Sequence, residues 1–236
     1  PIKSSAASDV YKRQELYMHL ISETIANGGD TLLLVPEISL TPQMTAHFTH
    51  RFGNNVAVLH SRLSDGERNL QWNRIKNGEV SVAIGARSAI FAPFQNLRLI
   101  ILDEEHEPSY RSEDAAPRYH AAEIAEAIGR IRNAVVLYGS ATPRVETFYR
   151  VVNHEIYYIP LTKRANHAAL PEIILEDLRE ARENGTADFF SAFGGQLKDA
   201  LAENYKNNKQ AMLFVHRRGY ACLLYTSDAA DDLIGV

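Results

Sequence analysis

The sequence predicts an α/β protein in which a parallel β-sheet is sandwiched by helices. Short runs of Val, Ile and Leu alternate with amphipathic stretches of helical period. The apolar runs are continuous, which is typical of strands that are covered on both faces. The strands predicted in this way are residues 31–35, 56–59, 80–84, 99–102 and 135–138.

Four helices are predicted between these strands: residues 16–26, 41–52, 64–77 and 118–132. Pro42 is a start signal for the second helix, because proline is favoured in the first helical turn. Ser64 and Glu67 are three residues apart, as in a capping box, and predict the start of the third helix.

A polar stretch, residues 161–171, predicts a linker between two domains. After it the pattern restarts, with a strand at residues 172–176, a helix at 191–207 and a strand at 211–216. This second unit is too short to close its own sheet, so we expect it to be the beginning of a domain.

Composition narrows the classes of function. The chain has 236 residues, 45% hydrophobic and 23% charged, with a formal net charge of −4, so it can bury a large core. A nucleic-acid binder with this charge must concentrate its Arg and Lys locally. No apolar run reaches the roughly 20 residues that span a bilayer, and the N-terminus lacks a signal-peptide core. The single Cys222 excludes a disulfide framework, so we expect a cytoplasmic protein with no membrane partner.

An acidic cluster, Asp103, Glu104, Glu105 and His106, directly follows the predicted strand 99–102. Ligands of parallel sheets lie beyond the carboxyl ends of the strands. Nucleotide hydrolysis needs one carboxylate for Mg²⁺ and a second group to orient the attacking water. The position of Asp103 suits the metal, through bound water, and that of Glu104 suits the water nucleophile. The alternative interpretation is a solvated acidic loop.

Small hydroxyl residues follow another predicted strand, in the order Gly139, Ser140, Ala141 and Thr142. If the two strands are neighbours, Ser140 and Thr142 lie beside Glu104 and His106. Hydroxyls at that place can relay the state of bound phosphates by exchanging hydrogen bonds. Alone, the same residues would be an ordinary turn or helix cap.

The order Asp-Glu-x-His and then Ser-Ala-Thr resembles motifs II and III of superfamily 2 helicases. Further segments resemble the family of bacterial primosomal replication-restart helicases: residues 34–43, 60–68, 84–93, 118–123 and 213–221. The resemblance extends over residues 15–221. It implies that residues 15–160 form a RecA-like helicase lobe and that residues 172–221 begin a second RecA-like lobe.

The resemblance also implies which residues contact DNA. Residues 36–43 match a motif that faces single-stranded DNA, and residues 107–120 match an aromatic-rich loop that couples DNA to ATP hydrolysis. The residues implied to contact DNA are Pro36, Glu37, Thr41, Gln43, Arg87, Ser88, Tyr110, Arg111, Arg118, Tyr119 and His120. Plain structural roles remain open for several of them: a helix cap at Thr41, an ion pair at Arg87, and packing or capping at Tyr119 and His120.

The implied activity is that of an ATP-dependent 3′-to-5′ helicase that restarts stalled replication forks and loads the primosome. Its implied cofactors are ATP and Mg²⁺, with Zn²⁺ in longer members of the family. Its implied partners are single-stranded and forked DNA, primosome proteins and single-stranded DNA-binding protein. Motif IV is matched by Arg217, Arg218, Gly219 and Tyr220, and either arginine can face nucleotide or DNA.

Two departures from the family pattern concern the ends. No Gly-x-x-x-x-Gly-Lys-Thr loop precedes Glu15, and no zinc-binding cysteines follow Ala221. Residues 1–14 and 222–236 resemble translated adaptor sequence, so we predict both to be foreign to the gene and this chain to be inactive. Two alternatives stay open: a motor that translocates on double-stranded DNA without unwinding it, and a non-enzymatic DNA-binding fragment.

Overall fold

The structure is a computed structural model and describes residues 5–112, 118–161, 172–185 and 193–214. The chain divides into two compact units, Pro1–Ala169 and Leu170–Val236. None of the described helices is long and apolar enough to cross a membrane.

The first unit contains a parallel sheet of five strands. The strands are β1 (Asp30–Leu34), β2 (Val56–Leu59), β3 (Val82–Gly85), β4 (Leu97–Asp103) and β5 (Val135–Gly139). Their order across the sheet is β2-β3-β1-β4-β5, and every pairing is parallel. The predicted parallel α/β sheet is therefore confirmed, with each strand within two residues of its predicted start.

Helices cover both faces of this sheet. They are α1 (Ser5–Ala26), α2 (Pro42–Phe52), α3 (Asp65–Lys76) and α4 (Ala121–Arg132); a further helix, α5 (Val145–Val152), follows β5. Side chains alternate along the strands, so Leu33 and Ile101 pack with α1 and α2, whereas Leu34 and Ile100 pack with α3 and α4. The sheet is thus buried on both sides.

Local signals explain most helix starts. Ser64 Oγ accepts a hydrogen bond from Glu67 N, and Glu67 Oε2 accepts one from Ser64 N, which confirms the capping box. Thr41 caps α2 through Met44 N, with Pro42 in the first turn. Helix α4 begins at Ala121 rather than Arg118, because the His120 side chain caps it. Helix α5 was not predicted.

The second unit contains α6 (Leu178–Glu183) and α7 (Gly195–Lys206). The prediction of a strand at residues 172–176 is wrong, as is the prediction for residues 211–214, the described part of the second strand. A strand needs a hydrogen-bonded neighbour, and the described residues of this unit offer none. Accordingly, Ile173 is 81% exposed and Leu175 is 90% exposed.

Candidate functional site

The acidic site, which we define as Asp103, Glu104, Glu105 and His106, lies where β4 and β5 end side by side. Asp103 pairs in register with Gly139, and Glu105 N donates to the Gly139 carbonyl at 3.0 Å. Glu104 has a φ of 49°, a left-handed conformation that costs roughly 1–3 kcal/mol for a residue with a side chain.

Asp103 is buried and is held by two tyrosines. The Tyr17 hydroxyl donates to Oδ1 at 2.8 Å, and the Tyr110 hydroxyl donates to the main-chain oxygen at 2.6 Å. Burial raises the pKa of Asp103, and the nearby Arg13 and the Tyr17 hydroxyl offset this only in part. Tyr110 is 1% exposed, so its predicted contact with DNA is wrong: its ring fills the core and its hydroxyl already has a partner.

Arg13 of α1 is paired with both carboxylates. Its Nε lies 3.6 Å from Asp103 Oδ1, its Nη1 donates to Glu104 Oε2 at 3.5 Å, and its Nη2 contacts Glu104 Oε1. Burial lowers the pKa of Arg13. Attraction to Asp103 and Glu104 raises this pKa by more than burial lowers it, so the net shift is upward. The guanidinium therefore offsets part of the negative charge of the two acids.

Carboxylates are the ligands that Mg²⁺ prefers, and in that respect Asp103 and Glu104 fit a magnesium ion. In this chain, however, Arg13 is the cation beside them. Arg13 belongs to the segment 1–14 that we predicted to be foreign to the gene. No group of three or more His, Cys, Asp or Glu among the described residues could hold a metal ion by itself.

The stretch after β5 contacts the acidic turn through Ser140. His106 Nδ1 and Ser140 Oγ are 2.8 Å apart, and Ser140 Oγ also accepts from Thr142 N at 3.0 Å. His106 Nδ1 is also 3.7 Å from Glu104 Oε2. The predicted proximity of Ser140 to His106 is confirmed, whereas Thr142 joins through its main chain, with Ala141 and Thr142 exposed.

The close approach of the Tyr17 hydroxyl requires glycine at position 139. A Cβ at this position would lie 1.7 Å from the Tyr17 hydroxyl and 3.3 Å from Asp103 Oδ1. Because Tyr17 is buried and bonded to Asp103, it has little room to withdraw. Glycine at the end of β5 therefore permits the packing of Tyr17 against the acidic site.

Glu105 is buried and joins the acidic site to α5. Its Oε1 accepts from Arg144 N at 2.8 Å and its Oε2 accepts from Thr147 Oγ1 at 3.2 Å. A carboxylate at a helix N-terminus is stabilised by the unpaired amides and by the helix dipole. Glu105 thus caps α5.

Two predicted DNA-contact residues, Thr41 and Gln43, lie beside the acidic site. With Asp103 and Glu104 they line a cleft of about 540 Å³. The cap contact of Thr41 Oγ1 with Met44 N, at 3.2 Å, bears out the structural alternative for this residue. Pro36 is buried at the end of β1.

A second cleft of about 560 Å³ lies at the carboxyl ends of β2 and β3. We call it the aromatic cleft, and it is lined by Glu37, Leu59, His60, Ser61, Arg68, Trp72, Ala86, Arg87, Ser88, Ala89, Phe91 and Ser109. It brings the predicted DNA-contact residues Glu37, Arg87 and Ser88 together. Glu37 accepts a hydrogen bond from the Ser61 hydroxyl.

Arg87 contacts the segment 107–120 rather than an acid. Its Nη1 donates to the main-chain oxygens of Ser109, at 3.3 Å, and Arg111. Its guanidinium carbon lies 5.8 Å from the centre of the Tyr119 ring, and Phe91 packs edge-on against the same ring. The arginine therefore holds the base of this segment.

The ends of the segment meet as a short antiparallel bridge. Arg111 pairs with His120, and Ser112 N donates to the Tyr119 carbonyl at 2.8 Å. Arg111 and Arg118 are exposed, and Tyr119 is half-buried. The capping role of His120 bears out the structural alternative for that residue.

Several residues of these sites were not predicted: Arg13, Tyr17, Arg68, Trp72 and Arg144. The sequence carries a signal for Arg68 and Trp72, because they are four residues apart and share a helix face. Arg13, Tyr17 and Arg144 reach the acidic site only through tertiary packing. Arg217, Arg218, Gly219 and Tyr220 lie outside the described residues.

Comparison with known proteins agrees with this geometry. A family model described as DEAD/DEAH box helicase matches residues 15–151, more than half of the chain. The replication restart protein PriA of Bacillus subtilis is 42% identical over 239 residues, covering 97% of this chain and 29% of that protein. PriA of Synechocystis is 38% identical over 213 residues, covering 89% of this chain and 25% of that protein.

PriA of Haemophilus influenzae is likewise 38% identical over 213 residues, with 90% of this chain and 28% of that protein covered. The chain spans less than a third of the length of these curated relatives. The solved Pyrococcus furiosus Hef helicase domain is 12% identical with a TM-score of 0.37, covering 57% of this chain and 27% of that one. That likeness is too low to carry an argument. The family model and the acidic site nevertheless agree: the chain belongs to the DEAD/DEAH box helicase family.

Proposed function

We propose that this chain is part of the motor of an ATP-dependent 3′-to-5′ DNA helicase that restarts stalled replication forks. The name shared by its curated relatives, replication restart protein PriA, supports the biological role. Unwinding and restart would be activities of the whole protein. This chain spans less than a third of the length of those relatives.

The hydrogen bond between His106 and Ser140, at 2.8 Å, is the observation that carries the proposal. It joins the acidic turn after β4 to the hydroxyl residues after β5, at the edge of the sheet where parallel α/β proteins bind ligands. ATP would supply the bond that is hydrolysed, and Mg²⁺ would neutralise its phosphates. Asp103 would hold the metal through water and Glu104 would orient the attacking water. His106, Glu105 and the stretch 139–142 would report the state of that site to the rest of the lobe.

Single-stranded DNA would run along the aromatic cleft and the segment 107–120. Arg68, Arg87, Arg111 and Arg118 bring cations to this side of a chain whose net charge is −4. Trp72 and Phe91 offer rings on which bases stack, a contact worth about 1–3 kcal/mol per base. Ser88 can donate to a phosphate, as can Gln43 and Thr41 beside the acidic site.

A second candidate state, a DNA-binding chain without ATPase activity, is favoured by the contact of Arg13 with Asp103 and Glu104. A guanidinium between these acids competes with the metal. The two proposals are compatible, because one concerns the parent protein and the other this polypeptide.

The finer properties of the parent protein follow the same proposal. We assign it a cytoplasmic location, forked DNA as substrate, and primosome proteins and single-stranded DNA-binding protein as partners. Zinc would be bound by longer members of the family. The name of the relatives supports only the restart role.

The test is an ATPase assay on the complete gene product that contains this chain. We expect single-stranded DNA to stimulate hydrolysis, and Glu104→Gln to lower the rate by about 10²–10⁴-fold, the usual contribution of a group that directs proton transfer. Glu79→Gln, an exposed carboxylate before β3, is the matched control and should leave the rate unchanged. Equal rates for Glu104→Gln and the wild type would contradict the proposal.

A further inference from the structure

Arg144 contacts both functional regions of the first unit. Its main-chain N donates to Glu105 Oε1 at 2.8 Å, and its Nη1 lies 3.1 Å from His120 Nε2. Glu105 belongs to the acidic site, and His120 ends the segment proposed to contact DNA. One residue therefore joins the acid cluster through its backbone and the DNA segment through its side chain.

One hydrogen-bond donor faces each ring nitrogen of His120, and the ring cannot accept from both donors at once. Arg144 can only donate, so its contact requires a lone pair on His120 Nε2. Ala122 N, at 3.2 Å, requires a lone pair on Nδ1. A neutral imidazole has a single lone pair free for hydrogen bonding, and a cationic one has none. The helix cap and the Arg144 contact therefore compete for the same ring.

This competition defines a local element with two arrangements. With the ring proton on Nε2, His120 caps α4 and faces Arg144 with a donor. With the proton on Nδ1, it accepts from Arg144 and gives up the cap. Coupling between sites requires such an element, whose balance both sites can change.

At the acidic site, Glu105 is held by several hydrogen bonds. Glu105 binds Arg144 N and Thr147 Oγ1, and Glu105 N donates to the Gly139 carbonyl at 3.0 Å. A displacement of Arg144 therefore acts on Glu105, which lies between Glu104 and His106 in the chain. No flexible loop intervenes between the His120 ring and the acidic site.

We propose that Arg144 is a positioning residue that transmits the state of the segment 107–120 to the acidic site by exchanging its contact with His120. The proposal rests on the proposed function, because it assumes DNA at that segment and hydrolysis at the acidic site. We assign Arg144 no direct contact with DNA or with the reacting atoms.

The test is NMR of this chain with three variants, Arg144→Gln, Arg144→Lys and Arg150→Gln. Arg150 is the matched control, because it lies on the same helix but pairs with Glu126 and Glu155. Burial, and then the charge of Arg144, lower the pKa of His120 from 6.5. We expect Arg144→Gln to raise that pKa and Arg150→Gln to leave it unchanged. Equal pKa values of His120 in the wild type and in Arg144→Gln would overturn the contact between Arg144 and His120.

The second readout uses an oligothymidylate of about 12 nucleotides, a length within the usual single-strand site size. In the wild type and in Arg150→Gln, it should shift the amide signals of Arg118 and Tyr119 and also those of Glu105 and Thr147. In Arg144→Gln only the first pair should shift, and Arg144→Lys should restore part of the effect on the second pair.

The outcomes separate the two proposals. If Glu105 and Thr147 shift equally in Arg144→Gln, the coupling role is wrong while DNA contact stands. If the oligothymidylate shifts no signal in the wild type, the proposed DNA contact fails for this chain and the coupling proposal fails with it. Well-dispersed amide signals in each variant confirm that the variant is folded.

Discussion

The two functional regions of the first unit lie along one edge of the same sheet, but they are built differently. The acidic site at the ends of β4 and β5 is held by buried partners: Asp103 is hydrogen-bonded to Tyr17 and paired with Arg13, and Glu105 is hydrogen-bonded to α5. The aromatic cleft at the ends of β2 and β3 is open, with Arg68 exposed and Trp72 half-buried on its wall.

This difference fits the roles proposed for the two regions. Carboxylates that direct hydrolysis must be held in fixed directions, so their partners are buried and specific. A surface for a long, flexible polymer has to stay accessible, so its rings and cations keep part of their contact area in water. Changes in the acidic site should therefore affect folding stability most, and changes in the cleft should affect affinity most.

Replacing Tyr110 by alanine should have the largest effect on stability. The ring is fully buried beneath Asp103, and such a deletion costs about 3–5 kcal/mol of unfolding free energy. Trp72→Ala, in the open cleft, should cost far less. Urea denaturation followed by circular dichroism measures both, and avoids fluorescence because Trp72 is the only tryptophan. Similar losses in the two variants would contradict the contrast between a site held by buried partners and an open cleft.

Trp72→Ala should weaken binding of a labelled single-stranded oligonucleotide. Loss of one stacked base costs about 1–3 kcal/mol, which is about a 5- to 150-fold rise in Kd. Trp72→Phe should restore much of the affinity, because a ring is kept. Phe148→Ala is the control, since Phe148 is an exposed ring on α5 outside the cleft. Fluorescence anisotropy measures the Kd of each variant. Equal Kd values for Phe148→Ala and Trp72→Ala would refute the assignment of the aromatic cleft as a DNA-binding surface.

The smallest effect is expected from pH. Burial, and then the charge of Arg144, lower the pKa of His120 below 6.5, so the unfolded chain binds its proton more readily than the folded chain. This contribution to stability is present above pH 6.5 and is lost as the pH falls through the folded pKa. As the pH is lowered below 6.5, the melting temperature of the wild type should therefore fall more than that of His120→Asn, which keeps a capping side chain. Equal pH dependence in the two proteins would show that His120 is not perturbed.

Sequence patterns predicted what is local and failed where tertiary contacts decide. The five strands and the Ser64 capping box follow from runs and spacings of a few residues, and all are present. The proximity of His106 and Ser140 followed from strand adjacency, a rule of parallel sheets. Tyr110 was assigned to a DNA surface because the segment 107–120 resembles an aromatic-rich loop of the family, yet its hydroxyl reaches back to Asp103.

Other features had no local signal. Arg13 is 90 positions before Asp103 in sequence, and nothing in the pattern of α1 places it against the acidic turn. The segments 172–176 and 211–214 have strand-like composition, but a strand exists only with a neighbour to complete its hydrogen bonds. The sequence pattern could not supply that neighbour.

The central claim is that the two acids of this chain are held by its own arginine while the aromatic cleft stays open. Electron paramagnetic resonance of Mn²⁺, titrated into the wild type, Arg13→Gln and Arg13→Gln/Asp103→Asn, tests it directly. We expect weak binding to the wild type, tighter binding to Arg13→Gln, and loss of that gain in the double variant. Mn²⁺ binding that is equally tight in the wild type and in Arg13→Gln would contradict the account.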